Sequence, residues 1–112
     1  MVNDILMASG IQYRRARFTQ PPADTYAVFT DDVTTDGPDG MNRIYTHDIT
    51  VEVYEPSPDD EAEAALEAAI DAAGLYWTKQ DRFWLQTEQR YQVVYEFSYI
   101  EKKEAITYGK TR

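Results

Sequence analysis

The sequence predicts an α+β fold: a mainly antiparallel sheet of four to five strands, with one long and one short helix packed on one face. Three observations carry this expectation. One long helical segment, residues 57–75 (SPDDEAEAALEAAIDAAGL), sits in mid-chain; strand-like runs flank it on both sides; and turn-forming residues separate those runs as hairpins require.

The long helix has both ends written into it. Ser57 is placed to cap the first turn, and Pro58 suits the first helical position, where a missing N–H costs nothing. Asp59, Asp60 and Glu61 then lie where the positive end of the helix dipole favours carboxylates. Ala62, Ala65, Leu66, Ala69, Ile70 and Ala73 recur at three-and-four spacing, which gives one apolar stripe. Gly74 supplies a left-handed C-terminal cap, and Leu75 can fold back on the last turn. Most of the stripe is small, so the helix must lie close against something flat, and a sheet is the flat partner available.

The remaining elements follow in chain order. Residues 2–9 predict a short helix with Val2, Ile5 and Leu6 inward and Gly10 ending it; eight residues are too few to be helical without docking. Residues 11–18 (IQYRRARF) read as a strand that carries Arg14, Arg15 and Arg17, the one local basic patch. Two readings stand for it: an edge strand protected by its charge, or a subunit contact that meets an acidic helix face on a neighbour. Pro21 and Pro22 fall in a polar connection, residues 25–33 resume strand character, and residues 34–42 (TTDGPDGMN) are a long hairpin loop, expected to be mobile from Asp36 to Asn42. Residues 43–55 form the clearest strand, with Tyr45, His47, Ile49, Val51 and Val53 alternating against Thr46, Asp48, Thr50 and Glu52. After the helix, residues 76–85 and 89–100 predict a second strand pair, with Tyr91, Val93, Tyr95, Phe97 and Tyr99 on one face of the last strand. The end from about residue 101 is charged and aperiodic, which predicts a loose tail on a single domain spanning residues 1–112.

Composition narrows the function classes. A chain of 112 residues, 43% hydrophobic, is long enough for one modest core. No apolar run approaches the roughly 20 residues of a membrane span, and the first residues have no basic cluster of a secretory signal. With no cysteine there are no disulfides or thiolate metal sites. A net charge of −9 argues against binding a phosphate backbone, whose affinity comes from clustered Lys and Arg.

Candidate chemistry is sparse. His47 and Asp48 are adjacent in a strand and point to opposite faces, so they cannot act as a dyad; a hydrogen-bonded structural imidazole is the expectation. Residues 32–37 (DVTTDG) resemble a calcium loop in their first half, but Arg43 stands where a bidentate Glu is needed. Glu63, Glu67 and Asp71 stand four apart on one helix face, either as a solvated face or as a surface that meets basic groups in an assembly. Trp77, Phe83 and Trp84 flank a polar run, and Trp77 and Trp84 are candidates for an interface that a small core cannot absorb. No catalytic residue, cofactor or metal is expected.

Taken together, Tyr13-Arg14-Arg15 before the Pro-Pro connection, the strands at 26–29 and 45–54, the acidic helix ending Ala73-Gly74-Leu75 and the closing strand at 91–97 resemble the small tail-completion or tail-terminator proteins of long-tailed bacteriophages and prophages. The resemblance implies a protein without catalytic activity that closes into a ring, typically a hexamer, at the head-proximal end of the tail. Its partners would then be further copies of itself, the tail tube protein and the head–tail connector, in the virion, with neither nucleic acid recognition nor a membrane. The alternative is a small acidic inhibitor or adaptor that binds a host protein.

Overall fold

The computed structural model describes residues 1–37 and 43–103 as two layers. The elements are α1 (Val2–Ser9), β1 (Gln12–Arg15), β2 (Tyr26–Asp36), β3 (Arg43–Glu55), α2 (Asp60–Ala72), β4 (Trp77–Lys79), β5 (Phe83–Leu85) and β6 (Arg90–Lys103). The strands make one six-stranded sheet in the order β1-β2-β3-β6-β4, with β5 also on β6. Four of the five pairings are antiparallel, and β1 runs parallel to β2, so the sheet is mixed and has more strands than the four to five expected. The parallel pair arises because residues 17–25 carry the chain back to the starting end before β2 begins. Ala16, at φ 68, turns the chain off the edge after its N–H bonds Phe29 O at 2.8 Å.

The core lies between the helices and one sheet face. Odd-numbered residues of β2, β3 and β6 (Ala27, Phe29, Ile49, Val51, Val53, Val93, Tyr95 and Phe97) meet Val2, Ile5 and Leu6 of α1 and Leu66, Ala69 and Ile70 of α2. The helical stripe read from the sequence is thus the packed one, with Ala62 and Ala73 at its margins. Its C-terminus closes as expected: Gly74 adopts φ 76, its N–H bonds Asp71 O at 2.9 Å, and Leu75 N–H bonds Ile70 O at 3.3 Å.

The N-terminus of α2 differs from expectation. Asp59, not Ser57, is the cap; its Oδ1 accepts from Ala62 N–H at 3.1 Å while its Oδ2 accepts from Thr25 at 2.6 Å. A carboxylate that also anchors the entry to β2 wins over a hydroxyl two residues earlier. The expected strand at residues 76–85 is split into β4 and β5, which both pair with β6. The last strand continues through Lys103 opposite Arg43, past the expected end at residue 100. The part of the hairpin loop at 38–42 and the C-terminal stretch at 104–112, for which mobility and a loose tail were the expectations, lie outside the described residues.

Leu66 is wholly buried at the centre of the stripe. Leu66→Ala should lower unfolding free energy by about 2–5 kcal/mol in urea denaturation, and Leu66→Asp should abolish cooperative unfolding. A Leu66→Asp protein that unfolds with the wild-type midpoint would show that this contact is not structural.

Candidate functional site

Three arginines fan out from the β1 edge. Arg14, Arg15 and Arg17 are all exposed, and Arg14 lies 5.3 Å over the Phe18 ring. None of them is in an ion pair among the described residues.

The acidic helix face that the sequence offered as their counterpart is engaged within the chain. Glu63 is buried at 3% exposure, not solvated, because Lys79 at the end of β4 and Arg82 in the β4–β5 connection lie against it. Lys79 Nζ donates to Glu63 at 2.9 Å and to Glu67 at 2.7 Å, and Arg82 Nη2 donates to Glu63 at 2.7 Å and to Asp60 at 2.8 Å. The Tyr95 hydroxyl adds a bond of 2.7 Å to Glu67, and Trp77 Nε1 donates to Asp71 at 2.8 Å. Trp77 also packs on Tyr95 with ring centroids 5.8 Å apart, so it serves the seam between helix and sheet. Trp84 lies 38% exposed against Tyr91 on the helix side of the sheet. The eight interface candidates named from the sequence therefore do not form one surface: the structure separates the arginine edge from the acid–tryptophan seam.

Beside that seam lies a residue that no pattern in the sequence singles out. Glu55, at the end of β3, is fully buried; its Oε1 accepts from Asp59 N–H at 3.1 Å and from Arg82 Nε at 3.3 Å, while Oε2 has no partner. Burial, and then the facing Glu63, push the Glu55 carboxyl up to about 7. Burial acts on Glu63 the same way, but its bonds to Glu55, Lys79 and Arg82 outweigh that and hold it below the usual range. The two carboxyls are thus pushed in opposite directions, and Glu55 is the one of the pair that burial inclines to hold a proton.

His47 lies at the opposite end of the same sheet face. Its Nδ1 is 2.9 Å from Asp31 on β2, its Nε2 is 3.0 Å from Glu101 on β6, and its ring stacks on Tyr99 at 4.5 Å. Burial alone would lower its pKa; the bonds to Asp31 and Glu101 outweigh burial and raise it. The expected structural histidine is found, as a clamp across three strands. Asp48 points away, as the strand alternation required, and accepts from Ser98 at 2.6 Å. The two acids flank opposite ring nitrogens, so they do not converge on a single ion. Residues 32–36 are extended strand and cannot encircle calcium.

Among the described residues, the other face of the sheet carries no helix. The ring stack of Tyr26 on Tyr54 at 5.0 Å, with Phe18 edge-on and Arg90 above, covers one end. Beyond it lie Asp32, Asp36, Asp48 and Glu96, all exposed, and half-buried Glu52. A shallow hollow of about 420 Å³ between Asp48, Thr50, Tyr76, Thr78, Glu96 and Ser98 indents this face. Among the described residues no group of three or more His, Cys, Asp or Glu side chains is arranged to hold a metal, and no helix is long and apolar enough to cross a membrane.

The arrangement is that of a small two-layer α+β protein with one sheet face open. The same fold occurs in a solved structure titled "Virion of native gene transfer agent (GTA) particle". A chain of that particle is 18% identical to this one with a TM-score of 0.56, over 84% of this chain and 81% of that chain. No protein-family model and no curated protein matches the sequence.

Two pH effects follow. Both groups have raised folded pKa values, so each favours folding most below its unfolded value and loses that contribution as pH rises through its folded value. For Glu55 the window is from 4.5 to about 7. Glu55→Gln, which cannot ionise, should lose less stability across that window than wild type in urea denaturation; equal losses would place the proton elsewhere. For His47, an NMR titration should show a midpoint above 6.5 that falls in Asp31→Asn. A midpoint unmoved by that change would show that the clamp does not set it.

Proposed function

We propose that this chain is a structural, non-enzymatic component of a tailed-phage-type virion, and specifically a tail terminator. In this reading, copies close into a ring, a hexamer when assembled, at the head-proximal end of the tail tube, where the ring ends tube growth and meets the head connector. The observation that carries the reading is the fold shared with a chain of a virion particle over most of both chains. The order of elements and strand character that resemble tail-completion proteins support the finer assignment. The surface agrees with an assembly role: among the described residues, arginines without an ion pair project from one edge, and most of one sheet face has no helix over it.

Purified protein added to growing tail tubes should limit their length and appear as a cap on one end by negative-stain electron microscopy. Light scattering across a concentration series should show ring-sized species or a ring formed on the tube alone. A protein that stays monomeric, leaves tube length unchanged and instead forms a stoichiometric complex with a host protein would replace this reading with that of an acidic inhibitor or adaptor.

A further inference from the structure

The acids expected to meet the arginine edge have partners in their own chain, which leaves three unpaired arginines and a different set of unpaired acids. Asp32, Asp36, Asp48, Glu52 and Glu96 share the open sheet face, and none is in an ion pair among the described residues. Their bonds are to neutral groups: Ser98 on Asp48, Tyr54 and Gln92 on Glu52. Along the edge beyond β6 the face exposes Tyr76, at 87%, over the hollow, and Phe83, at 62%, opposite Gln92. Large apolar side chains bordered by unpaired charge are the composition of a contact surface rather than of a solvated one.

We propose that the occupant of this face is a second copy of the chain, which presents its Arg14–Arg15–Arg17 edge to Asp48, Glu52 and Glu96 while Tyr76 and Phe83 pack beneath. Charge selects the copy: the edge is the only part of the described chain where three arginines fall within four residues, and the face is acidic over its exposed middle. An edge and a face are different surfaces, so each copy has one of each to offer and the contact is heterologous, repeating around an axis. The proposal rests on the assembly reading above and supplies its contact.

The test is a charge exchange read by sedimentation velocity at low and high salt. One variant carries Arg14→Glu and Arg15→Glu; the other carries Asp48→Lys and Glu96→Lys. All four positions are exposed, and thermal melts check that both variants fold; Arg14→Gln with Arg15→Gln serves as a milder edge variant. Wild type should self-associate, less so as salt rises, and each variant alone should associate about tenfold or more weakly. An equimolar mixture of the two should recover association, because each reversed surface then meets its opposite. A mixture that stays dissociated, an edge variant that associates like wild type, or a wild type that is monomeric throughout at low salt overturns the proposal. Tube capping is scored separately. Wild-type capping that the edge variant matches removes this contact and leaves the tail reading, whereas charge-exchanged association without capping does the reverse.

Discussion

Strand β3 is paired along its whole length by β6 and from Ile44 to Tyr54 by β2, and one layer of helices is too short to cover it. Thirteen residues of extended chain span about 44 Å, whereas the thirteen residues of α2 rise only about 20 Å. Both helices sit over the half of β3 that carries Ile49, Val51 and Val53, and there the core forms. Among the described residues, the other half, from Arg43 to Asp48, is held mainly by its two neighbours, with Tyr99, stacked on His47, at the margin of the core. That division explains why the inward alternation of the strand changes chemistry along its length. Under the helices the inward positions are aliphatic; past them the same face needs a polar fastening, and His47 between Asp31 and Glu101 provides one. A three-stranded extension with no layer on either side is marginal in water. An imidazole bonded to carboxylates on both flanking strands opposes their separation.

The covered half depends on a second charged arrangement. Glu55 and Glu63 are carboxyls at the seam between α2 and the sheet, and two buried carboxylates side by side would be strongly unfavourable. Lys79 at the end of β4 and Arg82 in the connection to β5 make the arrangement tolerable, and burial relieves it further by pushing the Glu55 carboxyl up. The short strands β4 and β5 therefore do more than widen the sheet. They place two cations at the helix, so the integrity of the seam and the course of that connection are one problem.

The difference between what is legible in the sequence and what is not follows from range. The α2 stripe, its Gly74 cap, the bounds of β3 and the one-face set of β6 depend on neighbours three or four residues away, or on strict alternation, and each reads from the chain directly. The cap at Asp59 depends on Thr25, thirty-four residues earlier, and no local rule contains it. Glu63 reads as a solvated carboxylate because its place in the stripe is marginal; only the arrival of Lys79 and Arg82 from another element makes burial possible. The parallel pairing of β1 is equally hidden, since hairpin spacing implies antiparallel neighbours and nothing local in residues 17–25 states that they double back. Of the candidate interface, the arginine edge is legible as a charge cluster. The acids that remain without a cation are not, since that condition depends on every long-range partner in the fold. A signal for them does exist: followed on its outward side, the alternation in β3 and β6 puts Asp48, Glu52 and Glu96 on one face.

On the proposed assembly, the open face also explains how the chain can be stable while free. An antiparallel sheet can leave one side to water if that side is polar, and here threonines and carboxylates occupy most of it. Like charges spread over the face and the chain's net charge of −9 oppose indiscriminate pairing of sheet to sheet. Exposed ion pairs contribute little to affinity, about 0–1 kcal/mol each, but they orient an approaching surface and reject one of the wrong sign. Affinity must then come from a few apolar groups that lose water on contact, and Tyr76, Phe83, Ile44 and Ile100 are large ones the fold leaves out of its core on this side. A surface built this way is selective before it is adhesive. In the proposed contact it reserves its apolar groups for a copy that brings arginines in the right place.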